Sequence, residues 1–159
     1  MDVQGSSPTV NGQPTLIEKA QPIALLLARV GLGTIFIANG WEKFAMSGIS
    51  GTTAFFKSVG VPLPAVSAVL IATLELAGGV ALVLGLLLPV VGTLLTLDML
   101  GAIVFVHGSK GFFIADDGVE FVLGLAAASL AIAFSGGGAL AADNLWQGRR
   151  AKALEHKPR

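Results

Sequence analysis

Four long apolar stretches constrain this chain more than any other feature of its sequence. They run over Pro22–Gly40, Ala65–Leu88, Val90–Val106 and Val119–Ser135. A helix needs about 20 mostly apolar residues to cross a hydrocarbon core of ~30 Å, and the four stretches reach or approach that length. The second and third are almost continuous through Leu86–Pro89, which predicts a tight antiparallel hairpin. We therefore expect an all-α integral membrane protein, a four-helix bundle with up-down-up-down topology.

The composition agrees with a lipid environment and excludes several classes of function. The chain is 53% hydrophobic and only 13% charged, whereas soluble domains carry roughly 25% charged residues. Its 10 acidic and 10 basic residues balance, so no basic surplus exists for nucleic acid. The absence of Cys excludes thiolate nucleophiles, iron-sulfur clusters and disulfides on this chain. With only two His residues, we expect no metal site. We also expect no covalent cofactor. The apolar composition makes the lipid bilayer the main expected partner.

The polar flanks predict the domain organisation. Residues 1–21 are expected to form a disordered tail rather than a cleaved signal peptide, and residues 144–159 a basic tail around a membrane domain of residues 22–143. The basic residues of the two tails are Lys19, Arg149, Arg150, Lys152, Lys157 and Arg159. Because such residues concentrate on the cytoplasmic side, both termini are predicted to be cytoplasmic.

Three ionisable residues lie inside the apolar stretches: Arg29, Glu75 and Asp98. Each costs about 2.5 to 3.5 kcal/mol at the centre of a membrane helix, so we expect all three to face inward and to converge on the bundle axis. Helical periodicity adds support, because small residues share three of the polar faces. These faces combine Arg29 with Gly33 and Gly40, Glu75 with Gly78 and Gly79, and Glu120 with Gly124, Ala127 and Ala131.

Depth along the helices divides the polar residues into an inner and an outer set. The inner set is Arg29, Glu75 and Asp98, and the outer set is Glu42, Lys43, His107 and Glu120. Two acids against one base leave excess negative charge in a low dielectric, so one inner carboxyl group is expected to hold an exchangeable proton. His107 lies nine residues after Asp98, on the opposite face of an ideal helix. The two can share a site only if the helix kinks or ends between them.

Two interpretations of these charges stay open. Buried ion pairs can serve only to fix the register of a small bundle, whereas ionisable residues within a membrane more often mark a ligand or proton site. His107 is expected to be an interfacial hydrogen-bonding residue rather than a ligand of haem or metal.

The connection over residues 41–64 is predicted to contain a short helix, capped by Thr52, running through Ser58 and ended by Gly60. Its aromatic residues Phe55 and Phe56 fit either an interfacial anchor or a lid over a ligand site.

Taken together, these residues resemble the DoxX family of small bacterial membrane proteins over Ile23–Asp143. The resemblance rests on Arg29, Gly33, Phe36, Gly40–Phe44, Gly60–Pro62, Glu75–Gly79, Gly85, Asp98, Ala102–His107, Glu120 and Gly136–Gly138 leading to Asp143. The last segment departs from the family pattern because it lacks the Pro often found between the glycines.

The resemblance implies a multi-pass protein of the bacterial inner (plasma) membrane that is linked to redox metabolism. One branch of the family resembles the large subunit of thiosulfate:quinone oxidoreductase, and other members are associated with oxidative-stress assemblies. Carried over by position, it makes Arg29, Glu75, Asp98, His107 and Glu120 the candidate ligand or proton site, and Lys43 joins them as a cation that an anionic ligand would use. A quinone would use Asp98, Glu75 or His107 as proton donors and Arg29 to stabilise an anionic form. A small anion such as thiosulfate would use Arg29, Lys43 and His107.

The chain carries no electron relay, since it lacks Cys, a pair of haem ligands and a dinucleotide fingerprint. Any redox catalysis therefore requires a bound quinone or a partner subunit, and the leading hypothesis is a membrane subunit of a redox assembly. The alternatives are a small proton-coupled transporter and a structural or assembly protein. Self-association into a homo-oligomer is left open.

Overall fold

A computed structural model describes residues 15–144 of the chain, and these residues form helices joined by turns, without strands. The helices are α1 (Leu16–Trp41), α2 (Gly48–Ser58), α3 (Pro64–Leu84), α4 (Leu88–Ala102) and α5 (Glu120–Phe134). A π-helical turn follows α1 over Glu42–Met46, and a second follows α4 over Ile103–His107. Two short 3₁₀ turns, Gly108–Lys110 and Ile114–Asp116, lie between α4 and α5. The all-α prediction is confirmed for the described residues.

Helix α1 begins earlier than predicted, so the boundary of the disordered tail at residue 21 is wrong. Thr15 and Glu18 form a capping box, in which the Thr15 hydroxyl accepts from the Glu18 amide and the Glu18 carboxylate accepts from the Thr15 amide. This pair satisfies backbone donors that the first turn would otherwise leave unpaired. The helix can therefore start at Leu16, ahead of the apolar stretch. The predicted tails over residues 1–14 and 145–159 lie outside the described residues.

Helices α1 and α3 pack antiparallel along their glycines. A Cβ atom on Gly40 would lie 2.5 Å from the backbone nitrogen of Leu76, and one on Gly33 would lie 2.6 Å from the carbonyl oxygen of Gly79. The two backbones are close because no side chain separates them, as is common for helices packed in a membrane. Small residues therefore do share the inward faces with Arg29 and Glu75, as predicted.

Helix α5 packs on α4 through a different face from the predicted one. Its buried residues include Ala126, Ser129 and Ala133, which lie against Gly92 and Thr96 of α4. The predicted inward stripe of Gly124, Ala127 and Ala131 is exposed. Almost every residue of α5 is apolar or small, so its periodicity carries little information about which face is buried.

Three helical stretches among the described residues are long and apolar enough to cross a membrane: Leu16–Met46, Pro64–Leu84 and Leu88–Lys110. Helix α5 is apolar, but its 15 residues span only about 22 Å at 1.5 Å per residue. The predicted hairpin between the second and third stretches is present, with α3 ending at Leu84 and α4 beginning at Leu88. Gly85 makes the sharp turn with a φ of +70°, a backbone conformation that glycine adopts without strain.

The short helix in the long connection is α2, and it begins at Gly48 rather than at Thr52. The Thr52 hydroxyl does not cap it, because it donates to the carbonyl oxygen of Gly48 within the helix, at 3.1 Å. Gly60 ends the helix as predicted, with a φ of +81°. Helix α2 lies across one end of the bundle, which we call the α2 end. The opposite end, where α3 turns into α4 and residues 136–144 follow α5, is called the closing end.

Candidate functional site

An ion pair joins Lys43 and Glu75 inside the membrane domain. The Lys43 ammonium nitrogen lies 2.6 Å from a carboxylate oxygen of Glu75, and the two side chains are 19% and 5% exposed. Lys43 belongs to the π-helical turn after α1, and Glu75 lies midway along α3. A carboxylate this well buried is costly without a partner, so Lys43 neutralises a charge that the apolar surroundings would otherwise disfavour.

Asp98 adds a second carboxylate close to this pair. It lies on α4, within electrostatic range of both Lys43 and Glu75. One of its carboxylate oxygens, Oδ2, is buried and has no hydrogen-bond partner among the described residues. Buried polar atoms normally have a partner, so Asp98 retains hydrogen-bonding capacity that the described residues do not use.

A cavity of about 550 Å³ opens beside these residues. We call it the main cavity. Three ionisable side chains that line it come from three different elements: Lys43, Asp98 and His107. The rest of its wall is mostly apolar and comes from α2, the segment after α2, α3, α4 and the π-helical turn after α4: Phe55, Phe56, Val61, Pro62, Ser67, Ile71, Leu74, Leu94, Leu97, Gly101, Ala102, Phe105 and Val106. An apolar pocket with a few convergent polar groups is typical of small-molecule sites.

The mouth of the main cavity opens onto the exposed apolar surface of the helices. Leu97 lines the cavity and is 57% exposed, and Leu94 and Phe105 combine the same two properties. These residues lie in a stretch that is long and apolar enough to cross a membrane. A ligand dissolved in the acyl-chain region therefore has direct access to the cavity.

The π-helical turn after α4 brings His107 and Asp98 to the same cavity. It covers Ile103–His107, and a π turn holds one residue more than an α turn. The extra residue moves those after it around the helix axis by about 100°. In an ideal helix the two side chains would point to opposite faces, and the π turn removes this obstacle.

The hydrogen bonding of His107 fixes one of its ring nitrogens. Nδ1 lies 2.6 Å from the carbonyl oxygen of Asp117, and since a carbonyl only accepts, Nδ1 carries the proton and donates. In the neutral imidazole, Nε2 is then an acceptor. His107 can thus accept a hydrogen bond or a proton at Nε2.

Arg29 does not join Glu75 and Asp98, so the predicted convergence of the three inner charges is wrong. Arg29 is fully buried at the closing end, where its Nη2 donates to the carbonyl oxygen of Ala139 at 2.7 Å. Nη1 lies so close to Gly85 that a Cβ atom there would overlap it. Gly85 is ten residues from Glu75 on α3, which places Arg29 roughly 15 Å along the helix from the Lys43 pair.

The segment after α5 holds this arrangement together, and sequence analysis did not assign it a role. The Asp143 carboxylate accepts from the amides of Leu87 and Leu88, at 2.8 and 3.0 Å. It therefore caps α4 from 55 residues away. The sequence signal was the glycine run ending in an Asp, which was noticed only as part of the family pattern.

Glu120 also lies away from the main cavity. It is exposed at the start of α5, and its carboxylate accepts from the amide of Ile114 at 2.9 Å. This bond organises the loop between α4 and α5. Of the six candidate residues, the structure thus brings together Lys43, Glu75, Asp98 and His107, and it separates Arg29 and Glu120 from them. Within residues 15–144, no group of three or more His, Asp or Glu residues is arranged to hold a metal ion.

Several residues of the cavity wall were not predicted. Gly101 lies on the Asp98 helix, and a Cβ atom there would meet nothing within 4 Å. Phe55 and Phe56 form part of the cavity wall, which favours the lid interpretation of α2 over a simple anchor. No sequence signal could have identified Gly101, because a glycine in open space resembles any other glycine of a membrane helix.

Comparison with known proteins identifies relatives of this chain. The sequence model of a family described as DoxX matches residues 24–108, a range that contains Arg29, Lys43, Glu75, Asp98 and His107. "Putative oxidoreductase CatD" of Bacillus subtilis is 39% identical over 127 residues, which are 80% of this chain and 90% of that protein. "Inner membrane protein YphA" of Escherichia coli is 30% identical over 129 residues, 78% of this chain and 91% of that protein. "Uncharacterized membrane protein Rv3486" of Mycobacterium tuberculosis is 32% identical over 91 residues, 57% of this chain and 55% of that protein. No solved structure matches the chain significantly.

Proposed function

The chain belongs to the DoxX family, and on that premise we propose that it is the membrane subunit of a bacterial redox assembly and that its main cavity binds a quinone. In this proposal α5 is the fourth span of an up-down-up-down bundle in the plasma membrane, with both termini on the cytoplasmic side. One relative carries a name that describes an oxidoreductase, and another is named as an inner membrane protein. The partner subunit would supply the electron relay that this chain lacks.

The observation that carries the proposal is the main cavity itself. Its volume of about 550 Å³ falls in the range of roughly 300–1,000 Å³ that is usual for small-molecule sites. Its mouth, at Leu94, Leu97 and Phe105, faces the medium in which long-chain quinones dissolve. Its apolar wall suits a ring and an isoprenoid tail, and Lys43, Asp98 and His107 supply ionisable groups to that wall.

Each polar residue of the cavity has a defined task with a quinone, which supplies two-electron redox chemistry when bound. The Lys43 ammonium can donate a hydrogen bond to a ring carbonyl. Asp98, which lines the cavity, can hold a proton and deliver it to an oxygen of the ring. His107 can exchange a second proton at Nε2, because Nδ1 is fixed on Asp117. The apolar wall limits the access of water to these groups from the side of the main cavity.

A small anion is less well accommodated than a quinone. An anion would use Arg29 together with Lys43 and His107, but Arg29 lies at the closing end and Lys43 is already paired with Glu75. The excess of acidic over basic groups near the cavity would repel a second negative charge. For these reasons the quinone is proposed in preference to the anion.

The direct test is to purify the protein in mild detergent, extract it with organic solvent and look for quinone by mass spectrometry. We expect stoichiometric quinone in the wild-type extract. We expect substoichiometric quinone when Gly101→Phe fills the cavity, and full occupancy in Gly124→Phe, in which the new ring projects from an exposed position on α5. A wild-type protein that carries no quinone and takes up no added short-chain ubiquinone would contradict the proposal.

The redox assembly is tested separately. Affinity purification from the native membrane, followed by mass spectrometry, should recover a redox enzyme. If none is recovered in several mild detergents, the subunit role is wrong. Proton flux in proteoliposomes of the protein alone, lost in Asp98→Asn, would instead support the transporter alternative.

A further inference from the structure

A second cavity lies on the other side of Lys43. It has a volume of about 380 Å³ and is lined by Glu42, Lys43, Ser47, Gly51, Thr52, Phe55 and Phe56. We call it the vestibule. Glu42, Ser47 and Gly51 are exposed at the α2 end of the bundle, so the vestibule opens at the surface there. Its wall is more polar than that of the main cavity.

The vestibule and the main cavity share a dividing wall. Lys43, Phe55 and Phe56 line both cavities, and two of these three side chains are aromatic. Among the described residues, Lys43 is therefore the one ionisable side chain that lines both cavities. On the membrane side its ammonium group contacts Glu75, which lies within electrostatic range of Asp98.

Among residues 15–144, the closing end is closely packed. Arg29 is fully buried there, Ala141 is 1% exposed, and the backbone of residues 139–143 is hydrogen-bonded to Pro22 and Gly85. Packing and these hydrogen bonds close the described part of this end, whereas the vestibule opens at the surface of the α2 end. The α2 end is therefore the route by which we expect water to reach Lys43 and the buried carboxylates.

We infer that the vestibule and the Lys43–Glu75 pair form the path by which protons pass between water at the α2 end and Asp98 in the main cavity. First, the Lys43 ammonium gives a proton to the Asp98 carboxylate by way of Glu75, leaving a neutral amine and a protonated carboxyl group. Then the amine takes a proton from a hydronium ion in the vestibule, which becomes water. The net result is one proton moved from water to Asp98, with no oxidant or reductant.

The charged groups around this path lie on four elements. Glu42 faces the vestibule from the turn that carries Lys43, Glu75 faces Lys43 from α3, and Asp98 and His107 face the main cavity from α4 and the turn after it. None of the residues that α2 contributes to the two cavities is ionisable. The use of the path in quinone chemistry rests on the function proposed above, whereas the path itself requires no quinone.

The absence of Cys from the chain allows the path to be blocked after folding. In a Gly51→Cys variant, the new thiol lies in the vestibule, where a Cβ atom meets only Ser47 at an ordinary 3.7 Å. Modification of the purified protein with N-ethylmaleimide then fills the vestibule. Ser50→Cys is the matched control, because Ser50 is exposed on the same helix but does not line the vestibule.

The readout is the arrival of a proton at Asp98 without any quinone. A light-triggered pH jump is applied to the protein in detergent, starting from a pH at which Asp98 is ionised. Time-resolved infrared spectroscopy then follows the protonated-carboxyl band that is missing in Asp98→Asn. We expect N-ethylmaleimide to slow the rise of this band at least tenfold in Gly51→Cys and to leave it unchanged in Ser50→Cys. Lys43→Met should slow it to a similar extent.

Equal rates before and after modification of Gly51→Cys would overturn the inference, as would an unchanged rate in Lys43→Met. Since these measurements contain no quinone, their result is independent of whether the main cavity binds one. A failure of quinone binding would leave the path intact, and a failure of the path would leave quinone binding intact.

Discussion

Gly101 gives the sharpest test of the proposed quinone site, because it is a position in the cavity wall where a large side chain can be added without a clash. A Cβ atom at Gly101 meets nothing within 4 Å, and Gly101 is within α4, where its backbone is helical. Because Gly101 lines the main cavity, we expect a Phe side chain at this position to extend into it. Phe is also well tolerated in membrane helices, so we expect Gly101→Phe to fold.

The expected loss of affinity follows from the volume of the cavity. A Phe side chain places a ring of about the same size as the quinone ring in the cavity of about 550 Å³, so it occupies space that the quinone ring requires. An aromatic-sized ring buries roughly 150–250 Å², which at about 25 cal/mol per Å² contributes about 4–6 kcal/mol. If half of this burial is lost, binding weakens by about 2–3 kcal/mol, or about 30- to 150-fold in Kd.

The assay is calorimetric titration of a short-chain ubiquinone into the purified protein in matched detergent, with a thermal melt to verify folding. Gly101→Ala should weaken binding only slightly, and Gly101→Phe by the factor given above. Gly124→Phe is the control, since Gly124 also has open space around it but does not line the main cavity. Wild-type affinity in a folded Gly101→Phe would refute the placement of the quinone, and so would an equal loss in Gly124→Phe.

Three further predictions concern stability. Gly40→Leu should prevent α1 from packing on α3 and should strongly lower the melting temperature. Gly31→Leu on the same helix should leave the melting temperature nearly unchanged, because a Cβ atom at Gly31 meets nothing within 4 Å. Similar melting temperatures for the two variants would contradict the packing. Asp143→Ala removes the cap of α4 and should lower the free energy of unfolding by about 1–2 kcal/mol, measured by denaturant titration. Asp143→Asn should lower it by less. No change in Asp143→Ala would show that the cap contributes nothing. Lys43→Met leaves the Glu75 carboxylate buried without a partner and should lower the free energy of unfolding by about 3–5 kcal/mol. The double variant Lys43→Met with Glu75→Gln should recover most of this loss. Equal stability of the single and double variants would argue against the ion pair.

Much of the fold was predictable because the relevant forces act within one helix. The free-energy cost of placing the Glu75 carboxylate in lipid depends only on that residue and on the apolar helix that carries it. The prediction that Glu75 faces inward follows from this cost and is correct. The cap of α1 by Thr15 and Glu18 is equally local, and it was missed only because the apolar stretch begins later. For α5 the same reasoning gave the wrong face, since a helix that is small and apolar all round has no periodicity to read.

The candidate site was only partly predictable, because its partners come from separate elements. The sequence marked Lys43, Glu75, Asp98 and His107 as unusual, but depth alone grouped Arg29 with Glu75 and Asp98. In the structure Arg29 bonds to Ala139, which is 110 residues away. The segment after α5 reaches Arg29 through turns at Gly136 and Gly138, whose φ values are positive.

The sequence by itself determined that this chain enters a membrane as apolar helices, that small residues share the inward faces of Arg29 and Glu75, and that the ionisable groups of the first three apolar stretches are enclosed by protein. Each of these results follows from a transfer cost or a side-chain volume that belongs to a single residue. Only the tertiary structure decided which charges meet. The pairing of Lys43 with Glu75 depends on how far α1 is displaced along α3, and the approach of His107 to Asp98 depends on one extra residue in a π turn. Neither the displacement nor the extra residue alters the apolar pattern of a helix, so neither could be inferred from it.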